Sequence, residues 1–235
     1  MSAEYPIHPD FKMLTAIHPS LNRRTIPMIQ KAMGLLYHQQ RSSSAVRVER
    51  VRIPADAGQA VRALLYIPVE GKTDACLLYC HGGGYAFPAA PYQYKLARIY
   101  AQQVGCRVLF PDYRLAPEYP FPAAVDDCFA AYRRLLEMAE GAGIAVCGDS
   151  AGGTLSMAVC LRALDEGLPA PCAQLLTYPA VGNAGETDSL RRYTDTPMCN
   201  SREWRFMGRG MCRMKRRGSS PTAPPSKRSL LRGPP

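Results

Sequence analysis

The spacing of apolar positions changes near residue 45. Before it, apolar residues recur three or four positions apart, which predicts helices over Asp10–Ile17 and Thr25–Arg41. The apolar stripe of the second helix consists of Met28, Ala32, Leu35 and Leu36. From Val46 the spacing becomes two, and after a turn at Asp56–Gly58 a second run follows over Val61–Val69. This pattern predicts a hairpin of two strands after the helices.

Four short, largely apolar runs come next, and a helical segment separates each run from the following one. The runs are Ala75–Cys80, Arg107–Pro111, Ile144–Cys147 and Ala173–Tyr178. The helical segments are Pro91–Val104, Pro122–Glu140 and Gly152–Glu166. Strands that lack a polar face and alternate with helices are typical of a mostly parallel sheet with helices on both faces. The predicted fold class is therefore α/β.

The pattern fades in the last fifty residues. Residues 183–195 are polar and predict a loop, and Ser201–Met207 predicts the start of a helix with Asn200 or Ser201 as its cap. Arg213–Pro235 contains seven basic residues, five prolines and no acid. Because such a segment buries too little apolar surface to offset the entropy of ordering, it is predicted to be disordered.

The net charge first suggests a polyanionic partner, since it is +10. However, residues 1–201 carry +1 and residues 202–235 carry +9, so the charge belongs to the tail. Its short clusters, Lys215–Arg217 and Lys227–Arg228, have no aromatic residues between them. Binding of nucleic acid or of an anionic membrane through the tail is a minor alternative, and we predict neither partner. The sequence does not indicate an oligomeric state.

Hydropathy and cysteine spacing bear on compartment and cofactors. The first ten residues lack the features of a signal peptide and no 18 apolar residues run together, which predicts neither secretion nor a membrane span and favours a cytoplasmic protein. The nine cysteines form no C-x-x-C pair, and several lie in apolar runs, as reduced buried thiols do. These are Cys76, Cys80, Cys147 and Cys160. We predict no metal site and no cofactor.

A G-x-S-x-G motif occupies Gly148–Gly152, directly after the predicted strand Ile144–Cys147 and before a predicted helix. This is the setting of a nucleophile elbow, a strained turn that lifts a serine hydroxyl above the edge of the sheet. Ser150 is the candidate nucleophile. The alternative interpretation is a strand-to-helix turn that glycine allows to pack tightly.

A glycine run, His81–Gly84, follows the predicted strand that ends at Cys80. Backbone N–H groups in such a run can converge on a developing oxyanion because no Cβ blocks the approach. Taken alone, three glycines also fit a flexible loop. Both motifs follow the carboxyl ends of predicted strands, where α/β folds place their sites, and together they favour an active site.

These two motifs, with Asp112–Glu118 and Phe121–Ala124 between them, resemble the hormone-sensitive-lipase group of α/β-hydrolase carboxylesterases over roughly residues 45–205. The resemblance implies an α/β-hydrolase fold, incomplete at its C-terminal side. It also implies hydrolysis of small esters, with short to medium acyl chains, through an acyl-enzyme. Ser150 matches the nucleophile, and the oxyanion-hole donors are matched by Gly83, Gly84 and Ala151. The structural positions of the motifs are matched by His81, Gly82, Gly148, Asp149 and Gly152.

The same resemblance implies a division of the chain. Residues 1–45 would form N-terminal cap helices over the acyl pocket, 46–182 the hydrolase core, 183–212 a loop and the start of a second cap segment, and 213–235 a basic tail. We interpret the stretch around Asp112–Ala124 as structural, with an ion pair between Arg114 and Glu118. Asp126 and Asp127 are expected in a first helical turn, where the helix dipole favours acids.

No triad can be assigned from the sequence. In this fold an acid and then a histidine follow the serine, yet all four histidines, His8, His18, His38 and His81, precede Ser150. None of the later acids follows a predicted strand. We hypothesise that the reading frame is shifted near residues 207–213, since the tail is rich in residues with GC-rich codons, and that the chain is impaired and aggregation-prone. The alternative is a non-catalytic ligand-binding protein on the same fold, similar to plant hormone receptors.

Overall fold

Six strands form one mixed sheet in the computed structural model of the chain, which describes residues 8–16, 25–55, 59–181, 187–194, 196–197 and 200. They are β1 (Val46–Pro54), β2 (Ala60–Pro68), β3 (Cys76–Cys80), β4 (Arg107–Asp112), β5 (Ile144–Asp149) and β6 (Ala173–Thr177). Their order in the sheet is β1-β2-β4-β3-β5-β6. β2 is antiparallel to β1 and to β4, whereas the other neighbours are parallel. The predicted hairpin and parallel strands are confirmed.

Helices precede, connect and follow these strands. They are a 3₁₀ helix (Pro9–Ala16), α1 (Thr25–Gln39), α2 (Pro91–Ile99) continued by a π-helical turn (Tyr100–Val104), α3 (Ala123–Ala139), α4 (Ala151–Asp165) and α5 (Asp188–Arg192). The loop predicted over 183–195 is wrong at α5, because the Thr187 hydroxyl accepts a hydrogen bond from the Leu190 N–H and caps a short helix there. The turn at 56–58, the helix at 201–207 and the tail lie outside the described residues.

The core consists of two clusters, one on each face of the sheet. Successive strand residues point to opposite faces, so Leu65 of β2 packs with α3 and α4, whereas Leu64 packs with α1 and α2. The α/β class, with helices on both faces, is confirmed. The cysteines predicted in apolar runs are buried and unpaired, and burial raises the pKa of the Cys160 thiol to about 11.

Helix α1 forms as predicted, but a different face of it packs. Met28 and Leu35 of the apolar stripe are exposed, whereas Ile26 and Tyr37 are buried. Together with Gln30, these two buried residues recur at helical spacing on the opposite side of the helix. The packed face escaped the sequence analysis because a polar residue lies in its middle. Within the described parts of the chain, no helix is long and apolar enough to cross a bilayer.

Candidate active site

Ser150 joins β5 to α4 with an unusual backbone conformation, φ 51° and ψ −120°. A residue with a Cβ holds such a conformation at a cost of about 1–3 kcal/mol, and only where its surroundings enforce it. Here the Ser150 N–H donates to the Thr177 carbonyl at 2.9 Å, and the Ser150 carbonyl accepts from the Ala180 N–H at 3.1 Å. The end of β6 thus holds the turn, and the half-buried serine stands at the carboxyl end of β5.

Two glycines of the G-x-S-x-G motif allow α4 to begin directly against β3. A Cβ on Gly152 would overlap the Cys80 carbonyl oxygen and the His81 backbone, and one on Gly148 would overlap Gly152. The buried Ser156 hydroxyl bonds the Cys147 carbonyl at 2.8 Å, which ties α4 back to β5. This close packing brings the elbow and the glycine run to the same edge of the sheet.

Hydrogen bonds fix successive peptide planes of the glycine run. The Gly82 carbonyl accepts from His81 Nδ1 at 2.7 Å, so that nitrogen carries the proton, and the Gly83 carbonyl accepts from the Phe87 N–H at 2.9 Å. In a trans peptide the following N–H points away from the carbonyl. The N–H groups of Gly83 and Gly84 are therefore turned away from these bonds, and no described residue accepts a hydrogen bond from either.

Ala151 is the first residue of α4, and its N–H has no acceptor among the residues described. The first N–H groups of a helix have no partner within the helix and lie at the positive end of its dipole. Gly83, Gly84 and Ala151 thus each present a backbone donor at the carboxyl edge of the sheet. Such donors can stabilise a negatively charged oxygen.

His81 is fully buried beneath this edge. Its ring stacks on Tyr113 with 4.2 Å between centroids, and the Tyr113 hydroxyl donates to the His81 carbonyl at 2.8 Å. Burial lowers the pKa of the imidazole, which is therefore neutral at pH 7. The other ring nitrogen, Nε2, is buried and has no partner among the described residues. His81 makes no hydrogen bond to Ser150 there.

Asp149, next to the candidate nucleophile, accepts hydrogen bonds from four residues. Its buried carboxylate receives the Gly82 N–H at 3.2 Å, the Tyr92 hydroxyl at 2.8 Å and the Gln93 side-chain amide at 2.8 Å. The Tyr79 hydroxyl also donates, at 3.3 Å. No signal in the sequence marked Gln93, a polar residue in α2 that is buried only because the fold places it against this carboxylate.

Gln30 of α1 was also missed. Its side-chain amide nitrogen donates to the Ala86 carbonyl at 2.7 Å and to the Ala116 carbonyl at 2.9 Å. The first of these residues follows the glycine run, and the second lies in the loop after β4. One side chain therefore joins α1 to two loops beside the site.

The predicted ion pair between Arg114 and Glu118 is replaced by another. Arg114 instead contacts Asp127, with 2.7 Å between Nη2 and Oδ1 and further bonds from Nε and the backbone N–H. Asp127 is fully buried, and a buried carboxylate needs such a partner, whereas solvent satisfies the exposed Glu118. These bonds to Asp127 raise the pKa of the Arg114 guanidinium.

A base for Ser150 is absent from the described residues. His8 precedes the 3₁₀ helix and His38 lies in the last turn of α1, both exposed, and His18 lies outside the described residues. Among the acids after the elbow, Glu166 pairs with Arg162 and Asp188 with Arg191. Three further acids lie outside the described residues: Glu186, Asp195 and Glu203.

Comparison with known proteins gives a consistent result. A family described as having the alpha/beta hydrolase fold matches residues 77–235. The match begins later than residue 45, and it continues to residue 235, beyond the region of about 45–205 over which the sequence motifs indicated the resemblance.

The similar proteins are esterases. Carboxylic ester hydrolase LipN of Mycobacterium tuberculosis is 40% identical over 155 residues, 62% of this chain and 41% of the relative. Hormone-sensitive lipase of Bos taurus is 37% identical over 114 residues, 46% of this chain and 15% of the relative. A hyperthermophilic esterase from the archaeon Pyrobaculum calidifontis superposes with a TM-score of 0.74 and 30% identity, covering 89% of this chain and 71% of that one. The chain spans less than half the length of the two curated relatives.

Proposed function

Because the chain belongs to the α/β-hydrolase fold family, we propose that it acts on carboxylic esters, with Ser150 as nucleophile and the N–H groups of Gly83, Gly84 and Ala151 as the oxyanion hole. The observation that carries the proposal is the strained backbone of Ser150 beside three backbone donors without acceptors among the described residues. The resemblance to hormone-sensitive-lipase-type carboxylesterases supports small esters with short to medium acyl chains as substrates.

In the proposed reaction the Ser150 oxygen forms a bond to the acyl carbon, and the carbonyl electron pair moves onto the carbonyl oxygen. The N–H donors stabilise that oxyanion, each by about 2.7–4 kcal/mol in comparable sites. Collapse of the intermediate breaks the bond to the alcohol oxygen, which leaves with a proton, and an acyl-enzyme remains. Water then hydrolyses the acyl-enzyme.

The serine proton has to pass to a base, and none of the described residues accepts it from Ser150. We therefore propose that the described residues supply the nucleophile and the oxyanion hole, and that rapid turnover requires a base they do not contain. Where a triad member has been removed from a serine hydrolase, turnover falls by up to about 10⁶-fold. Formation of the acyl-enzyme is accordingly the step to measure.

We further propose that α1 is part of a cap over the acyl pocket. Its exposed apolar stripe, including Met28 and Leu35, and its attachment to the loop after the glycine run through Gln30 support this role. A cytoplasmic location stays a prediction.

The experiment is release of 4-nitrophenolate from 4-nitrophenyl butyrate by wild type, Ser150→Ala and the matched control Ser44→Ala, an exposed serine before β1. We expect a burst of up to one equivalent per chain from wild type and from Ser44→Ala, and none from Ser150→Ala. An equal burst from Ser150→Ala would overturn the assignment of the nucleophile.

The lack of a base among the described residues favours a second candidate, a ligand-binding protein on the same fold that does not turn over its ligand. It predicts saturable binding of a small ester without release of the alcohol. Absence of any burst from wild type, together with saturable binding of the butyrate ester, would favour this candidate over ester hydrolysis.

A further inference from the structure

The Asp149 carboxylate is surrounded by donors from three parts of the fold. Tyr79 lies in β3, Gly82 in the glycine run, and Tyr92 and Gln93 in the first turn of α2. The side chain is buried, and none of its hydrogen-bond partners is a cation. A buried carboxylate is tolerated when several donors satisfy it, so this one is held in one place by all of them at once.

The bond to Gly82 is the one that concerns the site. The Gly82 N–H lies one peptide before the Gly83 N–H and two peptides before the Gly84 N–H. Asp149 is also the residue directly before Ser150 in the chain. The carboxylate approaches the glycine so closely that a Cβ at position 82 would overlap it. One side chain therefore links the backbone of the candidate nucleophile to the backbone of the candidate oxyanion hole.

The Gln93 amide fixes the position of this carboxylate relative to the start of α2. Its nitrogen donates to both carboxylate oxygens, at 3.0 and 2.8 Å, while its oxygen accepts from the Ala90 N–H at 2.7 Å. The amide thus spans the start of α2 and Asp149. The Tyr92 hydroxyl adds a bond from the same turn, and its pKa is raised by burial and, second, by Asp149.

We propose that Asp149 is a positioning residue, which sets the separation between Ser150 and the N–H groups of Gly83 and Gly84. The role rests on the ester chemistry proposed above. Catalysis by preorganised donors depends on their placement, and displacement by about 1 Å can lower a rate about 100-fold. Asp149 contacts no reacting atom and acts only through Gly82 and Ser150.

The test uses Asp149→Asn, Gln93→Glu and the double variant in the full chain. The Gln93 amide nitrogen donates to both carboxylate oxygens, so an amide NH₂ at position 149 faces this donor whichever way it is turned and loses that bond. In the double variant the new carboxylate at position 93 accepts from the new amide at position 149 and still accepts from the Ala90 N–H, which restores the pattern. The matched control is Asp165→Asn, an exposed acid at the end of α4.

Two measurements read out the variants. The first is the rate of reaction with a 4-nitrophenyl alkylphosphonate, whose phosphoryl oxygen occupies the place of an oxyanion. The release of nitrophenolate is recorded at several reagent concentrations, which separates the limiting rate constant from the half-saturating concentration. The second is amide hydrogen exchange at Gly82, which does not depend on activity. Thermal unfolding of each variant records whether it is folded.

We expect Asp149→Asn to lower the limiting rate constant about 10- to 100-fold, to change the half-saturating concentration less than about threefold, and to speed exchange at Gly82. Gln93→Glu alone also slows the reaction, the double variant recovers most of the loss, and Asp165→Asn matches wild type. If Asp149→Asn does not fold, Tyr92→Phe is used in its place. This variant removes a single donor, and we expect it to lower the same rate constant by a smaller factor.

A folded Asp149→Asn that reacts at the wild-type rate would overturn the positioning role. So would a double variant that recovers thermal stability without recovering the rate, because that result assigns Asp149 to the core alone. A wild-type chain that never reacts overturns the proposed ester chemistry and the positioning role with it, whereas Gly82 exchange shows separately whether Asp149 holds the glycine run.

Discussion

Ser150 and His81 are both held in states that cost free energy by themselves. Ser150 adopts a positive φ, and bonds to Thr177 and Ala180 enforce it. His81 is buried with one ring nitrogen unsatisfied among the described residues, and its other nitrogen fixes the Gly82 carbonyl. Leaving a buried polar atom unpaired costs about 1–3 kcal/mol. In both cases the residue that bears this free-energy cost also fixes the orientation of the backbone at the candidate site.

The buried imidazole predicts a dependence of stability on pH. Burial lowers the pKa of His81 below its ordinary value of 6.5, so below about pH 6.5 the unfolded chain binds a proton that the folded chain does not. The free energy of unfolding then falls as the pH is lowered, by up to about 1.4 kcal/mol per pH unit from this residue, and this contribution is constant above that range.

Urea unfolding at pH 7.5 and pH 5.5 measures the effect. His81→Asn, which removes the titrating group, is expected to lose less stability on acidification than wild type. His38→Asn, at an exposed histidine, is expected to lose as much as wild type. An unchanged loss in His81→Asn would show that the imidazole does not titrate as its burial requires.

The sequence marked the candidate catalytic residues, but it did not mark the residues that support them in the structure. Ser150 and Gly83 stood out because a nucleophile elbow and an oxyanion hole restrict the residue types at those positions. Gln93 and Gln30 carried no signal, since a polar residue in a helix normally faces solvent and only the tertiary fold buries these two. The sequence analysis paired Arg114 with Glu118, which is closer along the chain, because only the tertiary fold brings Asp127 against Arg114.

At the scale of elements, α1 shows how the packed face of a helix can differ from its apolar face. The stripe around Met28 and Leu35 is exposed, while Ile26, Gln30 and Tyr37 face the protein. The central strands β3, β4 and β5 were easier to predict, because burial on both faces leaves them largely apolar. The five-residue helix α5 was not predictable, because it buries no residue and depends on a local cap at Thr187.

The two hydrogen bonds that the Gln30 side chain donates to backbone carbonyls predict how much this residue contributes to stability. Gln30→Ala removes both bonds and is expected to lower the free energy of unfolding by about 1–2 kcal/mol. Gln39→Ala, at an exposed residue in the last turn of the same helix, is expected to change it by less than about 0.5 kcal/mol. Urea unfolding compares the two, and equal effects would show that Gln30 does not anchor α1.

At the scale of the whole molecule, β6 is the edge strand on the side of the candidate site. No strand among the described residues pairs with its outer edge. Apolar side chains are exposed along it and on the neighbouring α4, namely Leu161, Leu164, Leu175 and Tyr178. An unpaired edge with apolar side chains favours pairing with other chains.

The 235-residue chain is therefore expected to self-associate in a concentration-dependent way. Leu175→Lys places a charge on the edge strand and is expected to shift the chain toward monomer in sedimentation velocity. Val104→Lys, at a residue with the same 53% exposure away from β6, is expected to leave the association unchanged. A wild-type chain that is monomeric at all concentrations, or equal effects of the two variants, would contradict this expectation.

Ser150 is proposed to be a nucleophile that faces preorganised oxyanion donors. Intact-mass and peptide mass spectrometry after incubation with a fluorophosphonate tests this claim most directly, because the reagent reports bond formation without requiring turnover. We predict one phosphonyl group per folded chain, on the peptide that contains Ser150, in wild type and Ser44→Ala but not in Ser150→Ala. No adduct on the folded wild type, or an adduct that persists in Ser150→Ala, would contradict the claim.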